Sequence, residues 1–168
     1  MRKLLIFSVI LLTLVHNLSA QDVSLPDGEF RNFLISRYPG CFVNTDINGQ
    51  LMLNTTCAAI TTEDSLEFHN LGLLGDPIDL TGLQYFTSLV YLNCTNNQIL
   101  TYVYPPNLKY LDCSSSMADA PFGNFPAFPA SLETLICKDN AALGIPFSSG
   151  LKYIDMSGNY CYSMSRIA

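Results

Sequence analysis

Apolar and polar positions alternate along the second half of the chain in a unit that recurs. Leu89-x-x-Leu92-x-Cys94-x-x-Asn97-x-Ile99 aligns with Leu108-x-x-Leu111-x-Cys113-x-x-Ser116-x-Ala118. Two further copies follow, Leu132-x-x-Leu135-x-Cys137-x-x-Asn140-x-Ala142 and Leu151-x-x-Ile154-x-Met156-x-x-Asn159-x-Cys161, and the four start 19, 24 and 19 residues apart. Leu92 and Cys94 alternate with Tyr91 and Asn93, the period of a strand with one face buried. Self-similarity at this period predicts a solenoid, in which each copy gives one short strand to a parallel sheet and buries its apolar side only against its neighbours. The Asn after each strand turns the chain, and its amide is expected to bond backbone groups of adjacent coils that would otherwise go unpaired. Ser116 takes that place in the second copy, so the ladder is expected to be weaker there. A degenerate earlier coil is read at Leu66-x-Phe68-x-x-Leu71-x-Leu73. The i, i+3, i+4 spacing of Phe30, Phe33 and Leu34 predicts a short amphipathic helix, placed to cover the open end of the stack.

The four copies resemble the leucine-rich-repeat consensus. Asp79-Leu80-Thr81-Gly82-Leu83-x-x-Phe86-Thr87-Ser88-Leu89 and the repeat after it are similar to the cysteine-containing, internalin-like repeats of secreted and surface proteins of Bacteroidetes-type bacteria. Leu25-Pro26-Asp27-Gly28-Glu29-Phe30-x-x-Phe33-Leu34 resembles their amino-terminal cap, and with it the likeness covers nearly all the chain after residue 20. It implies an α/β solenoid: a right-handed leucine-rich-repeat coil with a short parallel β-sheet on its concave face, an irregular or 3-10 convex side, and a small helical N-terminal cap. The implied division is 1–20 leader, 21–62 cap and 63–168 repeats. Tyr104-Pro105-Pro106-Asn107-Leu108 and Phe125-Pro126-Ala127-Phe128-Pro129-Ala130-Ser131-Leu132 resemble the Pro-rich coils of bacterial effector repeats, in architecture alone. The Pro there fixes an extended backbone into the strand.

The leader changes the compartment. Arg2 and Lys3 precede an apolar run from Leu4 to Val15, and Asn17-Leu18-Ser19-Ala20 ends in small residues before Gln21, the order a signal peptidase reads. Cleavage is expected near Ala20. The run is shorter than the roughly 20 apolar residues of a membrane span, so no membrane insertion is expected afterwards. The expected location is therefore secreted or cell-surface. Removing residues 1–20, which hold Arg2 and Lys3 and no acid, takes the formal charge from −6 to −8. Such a chain repels phosphate backbones, and no nucleic-acid partner is expected. In an exported chain the six Cys raise the question of disulfides. Cys94, Cys113 and Cys137 occupy one slot of the repeat and are expected to be reduced, buried apolar groups. Cys41 and Cys57 lie outside the array: they either close a 17-residue loop, contributing roughly 3 kcal/mol, or remain separate thiols.

Candidate chemistry is sparse. His69 is the one His after the leader, and no Gly-x-Ser-x-Gly, His-Glu-x-x-His, Cys-x-x-Cys or phosphate-loop pattern accompanies it, so neither an enzyme nor a cofactor is expected. Asn44-x-Asp46-x-Asn48-Gly49-x-Leu51 spaces ligands as a calcium loop does, but Thr55 stands where the bidentate Glu belongs, which favours an Asn-Gly turn and no metal. The outward strand positions carry the interest. One column reads Tyr91, Tyr110, Thr134, Tyr153, the next Asn93, Asp112, Ile136, Asp155, and a flanking one Val90, Lys109, Glu133, Lys152. Strands about 4.8 Å apart turn these into an aromatic ladder beside a polar one. The ladder either binds a protein or peptide ligand through Tyr91, Tyr110, Tyr153, Asn93, Asp112 and Asp155, or stabilises the sheet by stacking. A secreted binding module is the leading expectation, a structural fragment of a larger adhesin-like protein the alternative, and a hydrolase the third. The last repeat offers Leu151, Ile154 and Met156, with only Tyr160 to Ala168 to cover them, so weak self-association through that end is also expected.

Overall fold

A computed structural model describes residues 21–26, 28–72, 76–116, 125–142, 144–146 and 148–160. The leader 1–20, Leu73 of the degenerate coil, Cys161 and the tail from Tyr162 to Ala168 lie outside the described residues. The chain is a solenoid with few helices. Its spine is a five-stranded parallel sheet in the order β10-β9-β8-β6-β4, made by β4 (Ser65–Glu67), β6 (Tyr91–Asn93), β8 (Tyr110–Asp112), β9 (Thr134–Ile136) and β10 (Tyr153–Asp155). Every coil gives this sheet one strand, and the register aligns the repeat slots: Leu66, Leu92, Leu111, Leu135 and Ile154 form one inward row. The first four of these are fully buried.

Three residue columns hold the coils together. The first is the Asn slot. Asn97 Nδ2 donates to the carbonyls of Phe68 in the preceding coil and Cys94 in its own (3.2 and 2.9 Å), while its Oδ1 accepts from the Leu71 amide at 2.7 Å. Asn140 and Asn159 repeat the pattern two and three coils on, reaching back to the Cys113 and Cys137 carbonyls. Ser116 is too short to do all of this. Its Oγ lies 2.8 Å from the Cys94 carbonyl and 3.0 Å from that of Ser114, but only 3.5 Å from the Asn97 amide. The second column is a left-handed residue four positions after each inward Leu or Ile: Asn70, Asn96, Ser115, Asp139 and Gly158, with φ of 57, 56, 52, 53 and 72°. Asn, Asp and Gly tolerate that region best. The third is a tight turn before each strand, where the amides of Leu89, Leu108, Leu132 and Leu151 donate to the carbonyls of Phe86, Pro105, Pro129 and Ser148.

Cys94, Cys113 and Cys137 are reduced thiols, fully buried within this stack. Aromatic rings from the 24-residue spacing between the second and third copies pack on rings from the coil before it. Tyr102, Tyr104, Phe125 and Phe128 pack with centroids 5.4 to 6.0 Å apart. A second, two-stranded parallel pair joins β5 (Ile78–Asp79) to β7 (Ile99–Thr101), and a 3-10 turn spans Leu83–Tyr85.

The amino-terminal part is an α-helix and a small antiparallel sheet. The helix α1 (Glu29–Arg37) buries Phe30 and Leu34, and the rings of Phe30 and Phe33 lie 5.2 and 5.4 Å from that of Phe68 in the first coil. Strands β1 (Asp22–Val23), β3 (Leu51–Asn54) and β2 (Phe42–Thr45) follow in the order β1-β3-β2, and a short helix α2 (Ala58–Thr61) leads into β4. The segment Asn44 to Thr55 is thus a hairpin. The Asp46 carboxylate accepts the amides of Asn48 and Gln50 (2.8 and 2.9 Å) and the Ser24 hydroxyl, and Gly49 takes φ 79°. Those contacts, the Gln50 amide foremost, hold the Asp46 carboxyl below its ordinary range. Cys41 and Cys57 are joined by a disulfide that closes this hairpin at its base.

Candidate ligand-binding face

The outward side of the five-stranded sheet collects the chemistry-bearing side chains. Strand pairing sets Tyr91 beside Tyr110, Tyr110 beside Thr134, and Thr134 beside Tyr153. The Tyr91 and Tyr110 rings stack with centroids 4.6 Å apart and planes 10° from parallel. Tyr153 is separated from them by Thr134 and stands 55 % exposed. The aromatic column is therefore one stacked pair and one isolated ring. Partial burial, then the Glu67 carboxylate, push the Tyr91 phenol above its ordinary value, and burial followed by Asp112 does so for Tyr110.

The polar column has a structural duty. Asn93 Oδ1 accepts the Thr95 amide (3.3 Å), Asp112 Oδ1 accepts the Ser114 amide and hydroxyl (3.0 and 2.8 Å), and Asp155 Oδ1 does the same for Ser157 (3.2 and 2.8 Å). These are Asx turns that lead the chain out of the strand. One oxygen of each side chain is committed to the fold. The second Asp155 oxygen pairs with Lys138 at 3.0 Å, and that amine holds the Asp155 carboxyl below its usual range. In the flanking column Lys152 meets Glu133 at 2.7 Å.

Three participants escaped the sequence reading. Ser65 and Glu67 continue the columns onto the first coil, since β4 pairs Ser65 with Tyr91 and Glu67 with Asn93. Their signal was present, because Ser65-Leu66-Glu67 alternates as Tyr91-Leu92-Asn93 does, although the degenerate coil hides it. Lys138 was the third. Two residues beyond Ile136, it stands where neighbouring coils carry Ser or Thr. His69 lies at the same level, exposed, and its Nδ1 shares a hydrogen bond of 2.8 Å with Thr95 Oγ1. Among the described residues, no group of three His, Cys, Asp or Glu is placed to hold a metal ion, and no helix is long and apolar enough to cross a membrane.

Fold and face together define a repeat solenoid with one aromatic and polar sheet surface. No protein-family model, no curated protein and no solved structure matches the chain.

Proposed function

We propose that the chain is an exported leucine-rich-repeat module of the internalin-like kind, which holds a protein or peptide ligand across its outward, concave sheet face. On this reading α1 acts as the amino-terminal cap, supported by the seating of Phe30 and Phe33 on Phe68 of the first coil. Export is supported by the basic and apolar order of residues 1–20, and suits a chain with a disulfide. The role is recognition without catalysis.

The observation that carries the reading is the Tyr91–Tyr110 pair. Two large amphipathic rings stand half-exposed at the middle of the five-stranded parallel sheet, and Tyr in such positions is enriched at interfaces. The competing reading, a structural fragment, draws on the polar column, whose oxygens serve turns. The two separate cleanly. Panning a random peptide library on the purified chain and on a Tyr91→Ala/Tyr110→Ala variant should enrich peptides that bind the first about thirtyfold more tightly, with circular dichroism unchanged. Equal enrichment on both would establish the pair as structural.

A further inference from the structure

The charges on the sheet face are not evenly matched, and the imbalance specifies the ligand. At the β9–β10 end each carboxylate has a partner: Asp155 meets Lys138 at 3.0 Å, and Glu133 meets Lys152 at 2.7 Å. At the β4–β8 end, among the described residues, neither Glu67 nor Asp112 forms an ion pair. The second Asp112 oxygen is left over after its Asx turn with Ser114.

The rings lie where this unmatched charge is. Stacking uses one face of Tyr91 and one of Tyr110. The opposite faces look toward the neighbours on either side, and these are the small residues Ser65 and Thr134. Each outer ring face therefore borders a shallow slot with a carboxylate two residues along the same strand or the next: Glu67 beside the Ser65 slot, Asp112 beside the Thr134 slot. A cation within about 6 Å of a tyrosine ring face is attracted to its π-electrons, and a carboxylate at the slot's edge adds a charge-assisted hydrogen bond. We infer that these two slots receive the lysine or arginine side chains of an extended basic peptide; the inference rests on the reading of this face as a binding surface.

The geometry also fixes a spacing. Ser65 and Thr134 are three strand intervals apart, about 14 Å at roughly 4.8 Å each. An extended peptide crossing the strands advances about 3.3 Å per residue, and its side chains return to one side every second residue. Basic residues four apart span about 13 Å and point the same way; residues three apart point to opposite sides. The Lys138 amine, held by Asp155 but within the field of Asp112, makes the Thr134 slot the weaker of the two. The long flexible cations of a peptide suit such a surface because the slots are open to solvent and need no rearrangement.

The test uses labelled nonapeptides of serine and threonine, read by fluorescence anisotropy with the purified chain. One carries two lysines four apart, a second two lysines three apart, a third two glutamates four apart, and a fourth two glutamines. The first should bind saturably and the second about tenfold more weakly, with affinity falling as salt rises. Glu67→Gln/Asp112→Asn should weaken the first peptide about five- to tenfold; Asn at 112 keeps the turn, as Asn93 does one coil earlier. A Glu29→Gln/Asp76→Asn control removes the same charge outside this face and should leave binding as it was. No saturable binding by the first peptide, or equal loss in the control, overturns the inference. Tyr91→Ala/Tyr110→Ala sorts the causes. If the glutamine or glutamate peptide binds in a tyrosine-dependent way, the charge class is wrong and the face still binds; if no peptide depends on the tyrosines, the face reading itself fails.

Discussion

A buried thiol in each of three successive coils has a cost and a consequence. Cys94, Cys113 and Cys137 fill the inward slot that Phe68 and Met156 hold in the first and last coils, and the Cys94 and Cys113 S–H groups point at the carbonyls of Asp112 and Ile136 in the next coil. Burial pushes the Cys94 and Cys113 thiols well above their ordinary value of 9.0, because a thiolate would be stranded without water. A folded-state pKa that is raised contributes stability fully below the unfolded value, and loses it as pH climbs toward the folded one. Stability should hold flat up to about pH 9 and then fall by about 1.4 kcal/mol per thiol for each further pH unit. The Tyr102 and Tyr104 phenols, raised well above 10.0 by the same burial, add to the decline above pH 10. Urea midpoints between pH 7 and 10.5 test this, and a Cys94→Ala/Cys113→Ala chain should lose less stability between pH 9 and 10 than the parent. The thiols were legible in the sequence because one residue type fills one slot. The left-handed column was not. Asn70, Asn96, Ser115, Asp139 and Gly158 share a backbone conformation across four residue types, so a search for one residue type passes over them.

Between elements, the Asn ladder does what the sheet's own hydrogen bonds cannot. The strands are three residues long, too short to define the turn that follows, and the buried amide ties each turn to the previous coil. Asn97→Ala leaves the Leu71 amide and the Phe68 carbonyl, among buried surroundings, without the partner they now have. Each such group costs about 1–3 kcal/mol, so a loss of about 2–4 kcal/mol is expected. Ser116→Ala removes one hydroxyl that serves fewer groups and should cost about 1 kcal/mol. Equal losses in chemical denaturation would mean that the ladder's strength does not follow its bonds. The spine strands were readable because apolar-in, polar-out alternation carries directly into register. The β5–β7 pair and the ring cluster of Tyr102, Tyr104, Phe125 and Phe128 were not. Apart from Ile99, those residues lie outside the repeated motif, and only the packing of one coil on the next decides where they go.

For the whole molecule, a stack of coils buries its apolar side only as far as it has neighbours. At one end the rings of Phe30 and Phe33 meet that of Phe68. At the other, among the described residues, β10 pairs with β9 alone. Its coil contributes Leu151, Ile154 and Met156, which are half-buried where their counterparts two coils earlier, Leu108, Leu111 and Cys113, are fully buried. Tyr160 beside them is 65 % exposed. An edge strand offers unpaired N–H and C=O groups, and an apolar row beside it rewards pairing with another chain. The charge of the chain opposes this, −6 in full and more negative without its leader, so the contact should be weak and should strengthen with salt as that repulsion is screened. Sedimentation velocity over a hundredfold range of concentration is expected to show a sedimentation coefficient that rises with concentration. Met156→Lys should hold the chain monomeric, with its circular dichroism unchanged, because it places a charge in the exposed apolar row. A strict monomer at every concentration, unaltered by high salt or by deletion of residues 162–168, would show that this end needs no second copy to cover it.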